Sequence, residues 1–185
     1  MSSSSGTPTQ FRGSLAPTLS PGSWMVDPKG STVAFSVRHL GVATVRGRFT
    51  SFEGKLEVDR GGSGKADGSV RVASIDTGRE GRDGHLRAAS CFDAAQYPEI
   101  TFQADADGTR PDLALAGELT IMGRARPFVI VGEIEPSGPD GLRVSARGAI
   151  SRRDYELQWN ALFEGGVAVV GDRVSIVLDL ELTRC

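Results

Sequence analysis

Two histidines, His39 and His85, are the side chains of this sequence best suited to holding or moving a proton near neutral pH. His39 closes the run Val33, Phe35, Val37, His39, in which alternate residues are apolar, so strand parity points its imidazole inward. An imidazole there is expected to stay neutral, because desolvation disfavours its charged form. Two roles fit: a core histidine bonded to a backbone carbonyl, or a hydrogen-bond partner for the polar head of a ligand. His85 lies in Arg82-Asp-Gly-His-Leu-Arg87, where Asp83 offers a carboxylate beside it. It suits a surface or helix-packing position as well as a functional place on a rim.

The other reactive types point away from catalysis. There is no G-x-S-x-G elbow, no P-loop and no G-x-G-x-x-G after a strand. Arg152-Arg153-Asp154 is expected to form a solvated turn with a local ion pair. The two cysteines, Cys91 and Cys185, sit in no metal-binding or C-x-x-C spacing, and Cys91 suits a small buried hydrophobe. Two histidines with no supporting third ligand make a poor metal set. Trp159, in Tyr155-Glu-Leu-Gln-Trp-Asn160, could line a cavity or plug the end of a barrel.

The elements that must position these groups are mostly strands. Residues 1 to about 22 are rich in Ser, Thr, Pro and Gly and read as a flexible tail, with the folded domain spanning 23–185. Alternation begins near Trp24 and returns in Val45, Gly47 and Phe49, running on through Leu56 and Val58. Arg60–Gly68 is a loop by composition, and Val70 and Val72 open a strand that closes near Asp76-Thr77-Gly78. Leu113, Leu115, Gly117, Leu119 and Ile121 share a face, and Met122–Arg126 is a hairpin turn into Phe128, Ile130, Gly132 and Ile134. Leu142 to Ile150 and Val174 to Leu182 alternate in the same way. Only 82–96 breaks the period, which predicts one or two short helices stopped by Pro98.

About eight strands with one apolar face each must close into a barrel or stack as a sandwich. Gly47, Gly117, Gly132, Ala146 and Gly148 fall on inward positions. They either leave room for one ligand or accommodate barrel curvature or large neighbours such as Phe35, Phe49 and Phe102.

The chain has 185 residues, 39% of them hydrophobic and 24% charged, and 24 glycines, which suits one globular domain with many tight turns. Its net charge is −2, with no clustered Lys/Arg stripe, so nucleic acid is not an expected partner. The start lacks a basic stretch followed by an apolar core, and no apolar run reaches the ~18 residues of a membrane span. The chain as given is therefore expected in the cytoplasm.

Taken together, the motifs resemble the YceI-like family of lipocalin-like, polyisoprenoid-binding proteins. They include Trp24-Met-Val-Asp-Pro28, Ser31–Gly41, Val45–Gly54, Ser74-Ile-Asp-Thr77 and Arg82–Arg87. Phe92-Asp93, Tyr97–Phe102, Gly117–Gly123 with Pro127, Ser151–Tyr155 and Val170–Ile176 complete the series in order. The resemblance implies an all-β, eight-stranded antiparallel barrel with a short helical insertion near residues 82–96. It also implies an internal apolar tunnel for a long isoprenoid-type lipid (a polyprenyl chain or isoprenoid quinone) and often a homodimer. It implies no reaction and no cofactor.

The expected ligand contacts are Phe35, Val37, His39, Phe49, His85, Leu86, Phe92, Phe102, Leu119 and Trp159. At about 0.8 kcal/mol per CH₂, a chain of about forty carbons would gain roughly 30 kcal/mol gross. That exceeds the practical ceiling of about 18–21 kcal/mol, so apolar area alone suffices for tight binding. Two other uses of such a cavity stay open at this point. One is acid–base chemistry on an apolar substrate through His39, His85 or Asp83, and the other is haem or metal binding through the histidines.

Overall fold

The computed structural model describes residues 19–39, 42–107, 112–157 and 170–185. Among them are ten β segments: β1 (Gly22–His39), β2 (Ala43–Phe49), β3 (Phe52–Val58), β4 (Ser63–Arg71), β5 (Ile75–Asp76), β6 (Glu99–Asp107), β7 (Asp112–Ile121), β8 (Arg124–Pro136), β9 (Gly141–Ser151) and β10 (Val170–Arg184). One helix, α1 (Glu80–Arg87), lies between β5 and β6. No helix among the described residues is long and apolar enough to cross a membrane.

The ten segments make eight strands. β2 and β3 both pair with β1 and form one strand bent at Thr50-Ser51. β4 pairs with β3 and β5 with β2, the two being parts of one strand interrupted by a 3-10 turn at Val72–Ser74. Every pairing is antiparallel, and β1 also pairs with β10, which closes the barrel. Closure gives β1 and β10 a partner strand on each side instead of a bare edge.

β1 carries the main irregularity. Its register against β10 moves from Asp27↔Glu181 to Thr32↔Asp179, so five steps on one strand answer two on the other. Pro28, which has no N–H to give to a ladder, sits in that bulge. Asp27 Oδ1 accepts from the Lys29 amide at 3.0 Å, and the Ser31 hydroxyl accepts from the Glu181 amide at 2.9 Å. The odd number of extra residues flips parity. Trp24 and Val26 are inward before it, and Val33, Phe35 and Val37 after it.

Three local expectations need correction. The Gly-rich stretch 60–68 is not all loop: Asp59–Gly62 makes the turn and β4 starts at Ser63. Asp59 Oδ1 accepts from the amides of Gly61 (2.7 Å) and Ser63 (3.0 Å), and Gly62 takes φ +84°. Gly64 then belongs in the strand because a Cβ would collide with the Glu57 carbonyl. Val72 does not open a strand either; β4 ends at Arg71, and Val72 starts the 3-10 turn. The helix begins two residues earlier than expected and stops at Arg87, well before Pro98. The Ala88 amide bonds back to His85 O, and the following turns bury Cys91 and set Asp93 at φ +47°, which no helix can continue through.

The Met122 turn is tighter than expected. Met122 (φ +51°) and Gly123 (φ +70°) are its two central residues, and β8 starts directly at Arg124. Two positive φ values give the twist that matches flanking strands.

The main core joins Trp24, Leu56, Val58, Leu119, Phe128, Leu142 and Leu182 with Leu19, which is buried ahead of β1. Residues 1–18 lie outside the described residues. A smaller cluster of Ile75, Leu86 and Cys91 ties α1 to Phe35, Phe49 and Phe92.

Candidate functional site

Because neighbouring strands alternate direction, His39 at the end of β1, Ala43 at the start of β2, Ser151 at the end of β9 and Val170 at the start of β10 share one end of the barrel. The loop carrying α1 leaves from that end as well. The barrel encloses a cavity of about 1150 Å³. Toward the opposite end it is lined by Val26, Leu56, Ala66, Leu113, Ile134, Val144, Leu180 and Leu182. Around the His39 end the lining turns polar, with His39, Thr77, Arg79, Arg82, His85, Ser90 and Arg152. The result is a deep apolar sleeve with one polar mouth.

Gly47, Gly117, Gly132 and Gly148 do not create this space. A Cβ on Gly47 would run into the Phe35 ring and one on Gly148 into the Phe128 ring, so these glycines admit large neighbours. At Gly117 and Gly132 the adjoining strand's backbone comes too close for a side chain. The room comes from closing eight strands around side chains that do not meet across the axis.

Of the expected ligand contacts, Phe35, Val37, His39, Phe49, His85, Leu86, Phe92 and Leu119 line the cavity. Phe102 is not among the lining residues. It packs edge-to-face on Phe128, with centroids 5.7 Å apart and planes at 86°. Trp159 lies outside the described residues. His39 is half-buried and His85 exposed, so the two imidazoles belong to the mouth rather than the depth of the sleeve.

α1 is held across the mouth by one compact set of bonds. The buried Asp83 carboxylate accepts from the Thr77 amide (3.0 and 3.2 Å) and from the Thr77 hydroxyl. Arg82 donates to the Thr77 hydroxyl at 2.7 Å and to its carbonyl at 2.8 Å. Leu86 supplies the apolar contact, 4% exposed between Ile75 and Cys91. Burial pushes the Cys91 thiol up to about 12, which makes it inert near neutral pH.

Arg152 departs most from its expected role. It is not in a solvated turn but buried, 6% exposed, and it lines the cavity. Its guanidinium donates to Gly171 O (2.9 Å), Val170 O (2.9 Å) and Leu157 O (3.1 Å). Burial draws its pKa below the usual arginine value, with Asp172 acting against that shift. The ion pair of the cluster is not local either: Arg153 faces Asp172 at 3.7 Å. Burial alone would raise the Asp172 carboxyl. The Ser151 hydroxyl (2.7 Å) and the Arg153 amide (3.1 Å), both donating to it, bring it below its ordinary value. A signal for Arg152 was present in the sequence, since Ala146, Gly148 and Ile150 put residue 152 on the inward parity.

Tyr155 completes this end. It is 1% exposed and donates its hydroxyl to Leu119 O at 3.2 Å. Burial raises its pKa, with Asp154 adding to the effect.

A family model described as a YceI-like domain matches residues 24–182. A UPF0312 protein of Vibrio cholerae is 30% identical over 165 residues, covering 86% of this chain and 84% of its own. Among solved structures, Burkholderia cenocepacia BcnA superposes with a TM-score of 0.73 at 23% identity, over 84% of this chain and 98% of its own. A polyisoprenoid-binding domain from Saccharophagus degradans, described as implicated in plant cell wall breakdown, gives a TM-score of 0.70 at 16% identity. That match covers 88% of this chain and 98% of the other.

Proposed function

The chain belongs to the YceI-like family, and from that premise we propose that it is a binding or carrier protein holding one long isoprenoid-type chain, a polyprenyl or isoprenoid quinone, inside its barrel. The observation that carries this reading is the sleeve itself. Its volume of about 1150 Å³ exceeds the roughly 300–1,000 Å³ of sites for drug-sized ligands. Its depth is lined by aliphatic side chains from β1, β3, β4 and β7 to β10. Such a surface rewards burial of hydrocarbon. The polyisoprenoid-binding domain of Saccharophagus degradans, which shares the fold, is a further support.

Retention fits better than conversion. Asp83, the carboxylate beside His85 in sequence, is committed to Thr77, and Arg152 to three backbone carbonyls. His39 and His85 then remain to meet a polar head at the mouth.

Native mass spectrometry of the purified protein followed by organic extraction tests the reading. The expected result is a retained apolar molecule of discrete mass, one per barrel, that partitions into the organic phase. Two subunits per particle are part of the same reading, and the spectrum counts them. Protein that emerges empty and takes up no polyprenyl alcohol when challenged would overturn it.

A further inference from the structure

On the inner face of the sleeve, β3 and β4 are paired as Phe52↔Val70, Gly54↔Gly68 and Leu56↔Ala66. The outer two pairs carry side chains that line the cavity, and the middle pair carries none. The row continues to Phe102 of β6, which pairs with Gly68 but turns its ring onto Phe128. Between the mouth and the floor there is therefore a gap in the lining at this one level. Adjacent strands lie about 4.8 Å apart, so an unfilled position in this row leaves a recess wide enough for a methyl branch.

The two glycines are not equivalent. A Cβ on Gly54 would lie 2.8 Å from Val26 Cγ2, so Gly54 makes way for a neighbouring side chain. A Cβ on Gly68 would meet only the Glu53 carbonyl oxygen, at 3.7 Å, an ordinary contact. Gly68 thus differs from Gly47, Gly117, Gly132 and Gly148, whose missing side chains are claimed by rings or by backbone. No packing demand and no left-handed φ explains the glycine there. The space in front of it belongs to the cavity.

Resting on the reading of the sleeve as a chain-binding site, we infer that Gly68 is its specificity-determining residue. It keeps open a recess at mid-depth that seats the methyl branches of a branched chain, which a straight polymethylene chain does not need. A side chain at position 68 fills the recess while leaving the axis of the sleeve open.

The test compares phytol with hexadecanol, which share a sixteen-carbon backbone and differ in phytol's four methyl branches and in its one double bond, which lies beside the hydroxyl. Each is titrated by native mass spectrometry against the full-length protein and its Gly68→Ala, Gly68→Val and Gly54→Ala variants. Gly68→Val is expected to weaken phytol about tenfold or more, as overpacking of a filled site does, and to change hexadecanol less than about twofold. Gly68→Ala should give a smaller effect of the same sign. Gly54→Ala, which presses on Val26, should lower the melting temperature more than either Gly68 variant. Equal loss of both alcohols in Gly68→Val, or loss of neither, would overturn the role of Gly68 while leaving the chain-binding site standing. Wild-type protein that bound neither alcohol would overturn that site and the recess together.

Discussion

Replacing Arg152 by methionine removes the guanidinium and keeps most of the apolar stem. Three carbonyls, those of Leu157, Val170 and Gly171, then lose their donor at an end of the barrel where Arg152 is only 6% exposed. A stranded buried acceptor costs about 1–3 kcal/mol, so three of them set a range of about 3–9 kcal/mol before relaxation. Water reaching the mouth recovers part of this, and the guanidinium's own desolvation, visible in its lowered pKa, is no longer incurred. The expected loss is about 3–5 kcal/mol, near the top of what single substitutions do. At about 2–4 °C per kcal/mol for a chain of this size, the melting temperature should fall by about 6–20 °C. Arg152→Lys should recover only part of it, because an ammonium cannot reach three carbonyls in a planar fork. Urea unfolding followed by circular dichroism reads all three proteins. A lysine variant within about 0.5 kcal/mol of the parent, the size of an ordinary surface substitution, would refute the bonding described for Arg152.

Three further outcomes follow from the same geometry. His39→Leu should leave the fold intact and weaken a chain with a polar head by about twofold to a hundredfold, the equivalent of one lost hydrogen bond, with hydrocarbon analogues unchanged; parallel binding titrations decide it. Asp83→Asn should speed amide hydrogen exchange across Glu80–Arg87 while leaving β7–β10 unchanged, because the carboxylate's bonds to Thr77 are among those that fasten α1; uniform exchange rates in both proteins would argue against that fastening. Cys185, exposed, should react with a disulfide reagent at once, and Cys91 only on unfolding. The Cys91 thiol lies at about 12 in the fold against 9.0 in the unfolded chain, so its contribution to stability is whole below pH 9.0 and is lost as pH rises from there toward 12. Equal alkaline sensitivity of a Cys91→Ala variant would remove the thiol from that account.

Strands in which one face meets the core and the other meets solvent were legible from the sequence. Leu113 to Ile121 and Val174 to Leu182 alternate because period two is the geometry of a half-buried strand. The β4 glycines misled, since composition marks a turn whereas contact with the Glu57 carbonyl decides that Gly64 sits in a ladder. The bulge at Pro28–Ser31 was invisible because it is defined by pairing with Glu181, 150 residues beyond Ser31. Among the residues that line the cavity, parity pointed His39 inward and could have done the same for Arg152. Its charge argued for solvent, and the acceptors that permit burial come from Leu157 in the following turn and from Val170 and Gly171 at the start of β10, which pairing with β9 brings beside it.

The most direct test of the sleeve as the ligand site is photo-crosslinking with a long-chain alcohol that carries a diazirine at its far end. Peptide mapping should place the crosslinks on inward residues such as Val26, Leu113, Ile134 and Val144. Crosslinks on the exposed outer valines Val129, Val131 and Val177 would contradict it, because they would put the chain on the outside of the barrel.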